Sequence, residues 1–174
     1  MEDEEGERKV RIHYLRKGKG LPERVREIYE IYDENYKEMG KHYKRLDRKV
    51  YGEDYYFLSP ENLRKFLRKE LNKKARVIYL SQGGKMVGFA FLLDWGDILE
   101  LDEIHMKKEF RGKGYGSLLL DEVESFASER GKKVIVLETR EKLVRFFEER
   151  GYVNVDVDTG EYLKEKYVLM MKTL

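Results

Sequence analysis

The chain has no cysteine, only two prolines, three histidines and a single tryptophan among its 174 residues. Without cysteine there is no disulfide framework, no thiolate metal site and no cysteine nucleophile. The histidines, His13, His42 and His105, fall into no HExxH or similar ligand spacing, so nothing in the sequence calls for a bound metal. An excess of one charge is missing as well: 36 Lys+Arg stand against 34 Asp+Glu, a formal net charge of +2. So balanced a chain has no overall pull toward nucleic acid or an anionic membrane. Long apolar runs are also absent, and the longest, residues 86–93, is far too short to cross a bilayer. The opening MEDEEGERKV is acidic and shows no apolar signal segment. These absences predict a soluble, cytoplasmic protein with no nucleic-acid, membrane or metal partner.

What is present is size and charge density. A chain of this length with 41% hydrophobic residues buries a real core, which predicts one domain over residues 1–174, with about 1–7 as a flexible N-terminal tail. Charged residues make up 40%, and with cysteine missing the composition is thermophile-like, of a kind in which ion-pair networks gain value.

Patterning supplies the elements. Residues 8–17 alternate as a strand, with Val10, Ile12 and Tyr14 on one face. Pro22 opens a helix whose Val25, Ile28, Tyr29, Tyr32 and Tyr36 recur at three- and four-residue spacing. Residues 40–58 show no clean period and read as a long irregular connection. Ser59 and Pro60 then start a second helix as N-cap and first-turn residue. From residue 76 the pattern is a β-hairpin turning at Gly83 and Gly84, followed by a strand of mixed polarity over DILELDEIHMKK. A glycine-rich turn and a helix follow, then KVIVLET as a buried strand and REKLVRFFEERG as a short helix. The tail makes two strands around Asp158, Thr159 and Gly160. The order predicts an α+β fold: a mixed, mostly antiparallel sheet of about seven strands flanked by about four helices.

The chemistry concentrates in EFRGKGYGSLLLDEVESFASERGKK, residues 109–133. Leu118, Leu119, Val123, Phe126 and Ala127 mark one face of a helix, so Gly112, Gly114 and Gly116 sit at its mouth. There the first backbone N–H groups lack intrahelical partners and the helix presents partial positive charge. Bare glycines let those groups converge on an anion, and Arg111 and Lys113 add charge. A diphosphate is the natural guest. The spacing is neither the G-x-G-x-x-G of dinucleotide folds nor the GxxxxGK[ST] of a P-loop.

The string R-G-K-G-Y-G after E-I-H-M-K-K-E-F resembles the acyl-CoA-binding signature Q/R-x-x-G-x-G/A of the GNAT (GCN5-related N-acetyltransferase) superfamily, with Arg111, Gly114 and Gly116 at its fixed positions. Phe146-Phe147-Glu148-Glu149-Arg150-Gly151-Tyr152 is similar to the later F-Y-x-x-x-G-F element. The resemblance implies a GNAT-type acyl-CoA N-acyltransferase fold and an acetyl-CoA-dependent N-acetyltransferase. It uses acetyl-CoA as co-substrate and no metal, and transfers the acetyl group to a primary amine by direct attack in a ternary complex. The diphosphate would lie on Arg111, Gly112, Lys113, Gly114, Tyr115, Gly116 and Ser117. The pantetheine arm would pair with Ile104, His105 and Met106, and an N–H of Ile104 or His105 would meet the thioester carbonyl.

An alkylammonium must lose a proton before it attacks, and Glu103 is the candidate general base, acting through a water. It shares a strand face with Leu101 and His105 and has acidic neighbours in Glu100 and Asp102. The bland alternative is a solvated strand-end carboxylate, and His105 is either a second candidate base or a lining residue. The family's acid, a tyrosine, is here Phe147, and its upstream asparagine is Arg140, which leaves a non-catalytic acyl-CoA sensor as the alternative function. Another tyrosine, from residues 51–56, could take that place. Tyr43, Asp47, Tyr51, Glu53, Asp54, Tyr55 and Tyr56 are the candidates for an acceptor groove, against a plain charged surface. The acceptor's identity, small molecule or protein amine, and the quaternary state, monomer or homodimer, stay open.

Overall fold

The computed structural model describes residues 9–174, so the expected tail at 1–7 lies outside the described residues. Strand β1 (Arg11–Tyr14) leads into helix α1 (Leu21–Met39), α2 (Tyr43–Tyr51), a single 3-10 turn and α3 (Pro60–Glu70). Strands β2 (Ala75–Gln82), β3 (Lys85–Asp94) and β4 (Ile98–Met106) come next, then α4 (Tyr115–Glu129), β5 (Val134–Arg140), the short α5 (Val144–Glu148), β6 (Val153–Tyr162) and β7 (Glu165–Thr173). All seven strands form one sheet in the order β1-β2-β3-β4-β5-β7-β6. Every pairing is antiparallel except β4 with β5. This is the expected α+β architecture, with one more helix than the pattern predicted.

That helix is α2, inside the stretch expected to be irregular. Its buried residues are only Tyr43 and Asp47, so a carboxylate occupies the core-facing row and hides the helical period. Tertiary hydrogen bonds stand in for apolar burial: Asp47 is 1% exposed and accepts from Tyr32 and Tyr162.

The middle strands are covered on both faces. Val77 and Tyr79 of β2, with Phe89 and Phe91 of β3, pack with α1 and α3. Ile78, Leu80, Ala90 and Leu92, one residue out of phase, pack with Leu119, Leu120, Val123 and Phe126 of α4. Period-two alternation with both faces buried is why these strands read as continuous apolar runs. In α4 the inward row takes Leu120, while Leu118, expected inside, is 37% exposed. Ser59 does cap α3, accepting from the Asn62 N–H at 3.1 Å.

Two expectations at the C-terminal end change. The β5 strand is buried on one side only: Ile135, Leu137 and Thr139 face the core, and Glu138 is exposed. The last hairpin turns at Leu163 and Lys164, at φ +51° and +63°, and Asp158–Gly160 is an irregularity within β6. Positive φ at non-glycine residues is uncommon, so no turn signal marks that pair. Packing holds it: Leu163 docks against Gly40, where an added Cβ would lie 2.9 Å from a leucine methyl carbon. Among the described residues no helix is long and apolar enough to cross a membrane.

Candidate active site

The glycine turn is a bare helix N-terminus. Gly114 is the N-cap of α4 at φ +83°, with no side-chain cap, and Gly112 has φ +72°. Uncapped first-turn N–H groups carry the positive end of the helix dipole and suit an anion. A Cβ added at Gly112, Gly114 or Gly116 would meet nothing within 4 Å, so the space above the turn is open. Lys113 lies over the Phe110 ring at 5.4 Å. Arg111 turns toward α1, donating to Glu38 at 2.9 Å and to the Asn35 side-chain oxygen. An uncapped helix mouth, an open cradle and two flanking cations fit a diphosphate.

Next to the turn the sheet opens. β4 pairs with β5 only at Ile98, Leu99 and Glu100, and beyond them the facing edges carry no ladder. The Lys107 N–H donates to the Val87 carbonyl of β3 at 2.8 Å. Strand alternation therefore turns the N–H and C=O of Ile104 and Met106 to the open edge and those of His105 to β3. Of the two N–H groups expected to meet a thioester carbonyl, that of Ile104 faces the opening.

A bulge aims the acids. In the β3–β4 ladder Phe91 pairs with Glu103 and Leu92 with Leu101, leaving Asp102 as the extra residue. An inserted residue breaks alternation. Leu101 packs into the α4-side core, whereas Asp102 and Glu103 both reach tyrosines on the opposite face, at Tyr56 (2.8 Å) and Tyr36 (3.0 and 3.1 Å). Glu103 thus shares its face with His105 but not with Leu101.

That face borders a cleft of about 680 Å³ between α1, α2, the strand ends and the β6–β7 hairpin. Its walls carry the carboxyl groups of Asp47, Asp54, Glu100, Asp102, Glu103, Glu138 and Glu161. Tyr32, Tyr36, Tyr51, Tyr55, Tyr56, Tyr162 and Tyr167 stand among them with a few apolar and small residues, and no lysine, arginine or histidine is among the lining residues. Burial, then the Glu103 charge, pushes the Asp102 carboxyl well above the ordinary carboxylate range. Burial also raises Glu100 and Asp47, the latter against the hydrogen bonds from Tyr162 and Tyr32. The Tyr51 phenol is pushed up to about 12, chiefly by burial, and Tyr36 rises well above its usual value through burial and the Glu103 charge. Crowded carboxylates out of water favour a bound cation, and phenol faces suit one.

Glu103 and His105 have side chains 13% and 14% exposed, with His105 Nε2 2.6 Å from Glu103 Oε2. Asn35 of α1 touches both His105 Nδ1 (3.0 Å) and the Met106 carbonyl (3.1 Å). Of the expected groove residues, Asp47, Tyr51, Asp54, Tyr55 and Tyr56 line the cleft. Tyr43 is instead a core residue bonded to Asp33, and Glu53 pairs with Arg48 on the surface. Phe147 is 4% exposed, in the core against Tyr152. Sequence reasoning missed Asn35, Tyr36, Glu138, Tyr162 and Tyr167. The only local signal was tyrosine repeated at Tyr32 and Tyr36, whose hydroxyls require partners once buried. A second cleft, about 570 Å³, lies beside the turn between α4 and α5, lined by Ser117, Phe146 and Arg150 among others.

The α+β sheet thus carries a split parallel pair beside an uncapped glycine turn. The profile of the Acetyltransferase (GNAT) family matches residues 25–152, and the chain belongs to that family. The fold is similar to that of the PaiA N-acetyltransferase of Thermoplasma acidophilum in complex with coenzyme A. The TM-score is 0.70 at 19% identity, covering 95% of this chain and 99% of that one. It is similar too to the ribosomal-protein-S18-alanine N-acetyltransferase of Escherichia coli (TM-score 0.67, 17% identity, 95% and 94% covered). A GNAT family acetyltransferase of Elizabethkingia anophelis with acetyl-CoA bound matches with a TM-score of 0.61 at 15% identity, over 95% and 98% of the two chains.

Proposed function

We propose that the protein transfers the acetyl group of acetyl-CoA to a primary amine, that the amine binds as a cation in the tyrosine-lined cleft, and that Glu103 removes its proton. One observation carries the reading: Glu103 stands on the stretch of β4 that borders both the open edge and the acidic cleft. Acetyl-CoA supplies an acyl group already activated as a thioester. Gly112, Gly114, Gly116 and the first-turn N–H groups would hold its diphosphate, with Arg111 and Lys113 neutralising it. The outward N–H and C=O of Ile104 and Met106 would pair with the amide-bearing arm, and the Ile104 N–H would donate to the acyl oxygen as charge develops there.

The cleft carboxylates hold the incoming ammonium, and Glu103 takes one proton from it, directly or through a water. The freed nitrogen lone pair forms the bond to the acyl carbon, and the carbon–sulfur bond breaks with its electrons on sulfur. Nitrogen gives up two protons in all; one ends on the thiol and the other leaves to solvent through Glu103. A thiol of pKa about 8.5 departs well as thiolate, so the buried Phe147 is no obstacle.

Thiol release from acetyl-CoA tests this, using N-terminal peptides, lysine peptides, diamines, polyamines and aminoglycosides as acceptors. Release that needs an amine and falls in Glu103→Gln supports the proposal. Binding of acetyl-CoA without release for any amine would favour the sensor.

A further inference from the structure

We infer that Asn35 is a positioning residue for the base: it fixes His105 as the Nε2–H tautomer, so that the ring donates to Glu103. The positioning role rests on the reading of Glu103 as the base; the tautomer does not.

A chain of contacts runs from Arg111 through Asn35 and His105 to Glu103. The Arg111 guanidinium, which can only donate, bonds the Asn35 side-chain oxygen. The Met106 carbonyl, which can only accept, lies 3.1 Å from Asn35 Nδ2. Turning the amide over would set donor against donor at one end and acceptor against acceptor at the other, so the orientation is fixed from both sides. Asn35 Nδ2 therefore donates to His105 Nδ1 across 3.0 Å. A ring nitrogen that accepts carries no proton, so the neutral ring bears its proton on Nε2. That nitrogen lies 2.6 Å from Glu103 Oε2 and donates to it. The opposite tautomer would press two lone pairs together at that distance.

The consequence for Glu103 is asymmetry. The Tyr36 hydroxyl lies 3.0 Å from Oε1 and 3.1 Å from Oε2, so it is shared, while the ring N–H occupies Oε2 alone. Oε1 is left as the oxygen with lone-pair capacity to take the proton of the acceptor amine. His105 itself has both nitrogens engaged and acts as a donor rather than a second base. Tyr32, Tyr36 and Phe89 pack around the imidazole at centroid distances of 5.7, 5.4 and 5.6 Å and hold its plane. Because Asn35 is oriented by Arg111, the same contacts join the cofactor turn to the base across α1.

Long-range proton–nitrogen NMR of the full chain, labelled with nitrogen-15, reads the tautomer of each ring directly; a His105→Gln sample assigns the signals. The wild type should show His105 as Nε2–H. Replacing the donor by an acceptor in Asn35→Asp should move the proton to Nδ1 or leave both nitrogens protonated. It should also lower kcat roughly 10- to 100-fold while the KM for acetyl-CoA moves much less. A wild-type ring protonated on Nδ1 overturns the inference without any variant. So does an Asn35→Asp ring that stays neutral with its only proton on Nε2. A switched tautomer with unchanged kcat overturns the positioning role. If Glu103→Gln retained the wild-type rate, the base assignment would fall while the spectrum still decided the tautomer.

Discussion

The protein presents two candidate binding regions on either side of one opening in its sheet, and they are made of different material. The glycine turn is backbone: N–H groups at an uncapped helix mouth, with side chains removed and two cations at the rim. The cleft is side chain: carboxyl and phenol groups drawn from helices, strand ends and a hairpin that are far apart in sequence. One gathers positive charge for an anion, the other negative charge for a cation. β4 joins them, because it leaves its parallel partner after Glu100 and bulges at Asp102. The difference teaches that substitutions should separate cleanly into those that weaken the cofactor and those that weaken the acceptor or the proton transfer.

The sharpest break comes at the junction. Glu103→Gln keeps the size and the hydrogen-bonding oxygen but removes the base, so kcat/KM for the amine should fall about 10²- to 10⁴-fold, with acetyl-CoA affinity measured by calorimetry unchanged. A loss of affinity instead would mean the two regions are not separate. On the turn side, Gly114→Val places a branched side chain at φ +83° and over the open cradle. The strain alone costs about 1–3 kcal/mol, and the acetyl-CoA Kd should rise at least about tenfold.

On the cleft side the comparison appears as a pH dependence. The carboxyl of Asp102 is raised in the folded chain, so the folded state holds its proton more tightly than the unfolded chain does. The contribution of Asp102 to stability is therefore fully present below the ordinary carboxylate range and is lost as pH rises through the raised value. Asp102→Asn removes that decline, so its melting temperature should gain on the wild type progressively from pH 4 to pH 8. A constant or shrinking difference would contradict the assignment. The smallest effect is expected at the rim: Lys113→Ala, at an exposed site, should weaken acetyl-CoA about two- to fivefold, and less at high salt.

These two materials also explain what could be read in advance. The turn is local, so Arg111, Gly112, Gly114 and Gly116 announced it within six residues, just as Ser59-Pro60 announced α3 and Gly83-Gly84 the β2–β3 hairpin. The cleft is assembled only by folding. Asp47 sits in the inward row of α2 and is satisfied by Tyr32 and Tyr162, the latter from a strand over a hundred residues away. Nothing near Asp102 in sequence marks the bulge that reverses its side chain, and the Leu163–Lys164 turn is held by contact with Gly40 rather than by turn residues. Glu103 and His105 were found as candidates, but their partners Tyr36 and Asn35 belong to a helix read only for its apolar face.

The central claim is that acetyl-CoA and amine occupy their two regions together and react directly. Initial rates measured over a grid of acetyl-CoA and amine concentrations test it. Intersecting double-reciprocal lines are predicted, as for a ternary complex; parallel lines, the mark of an acetylated enzyme formed before the amine binds, would contradict it.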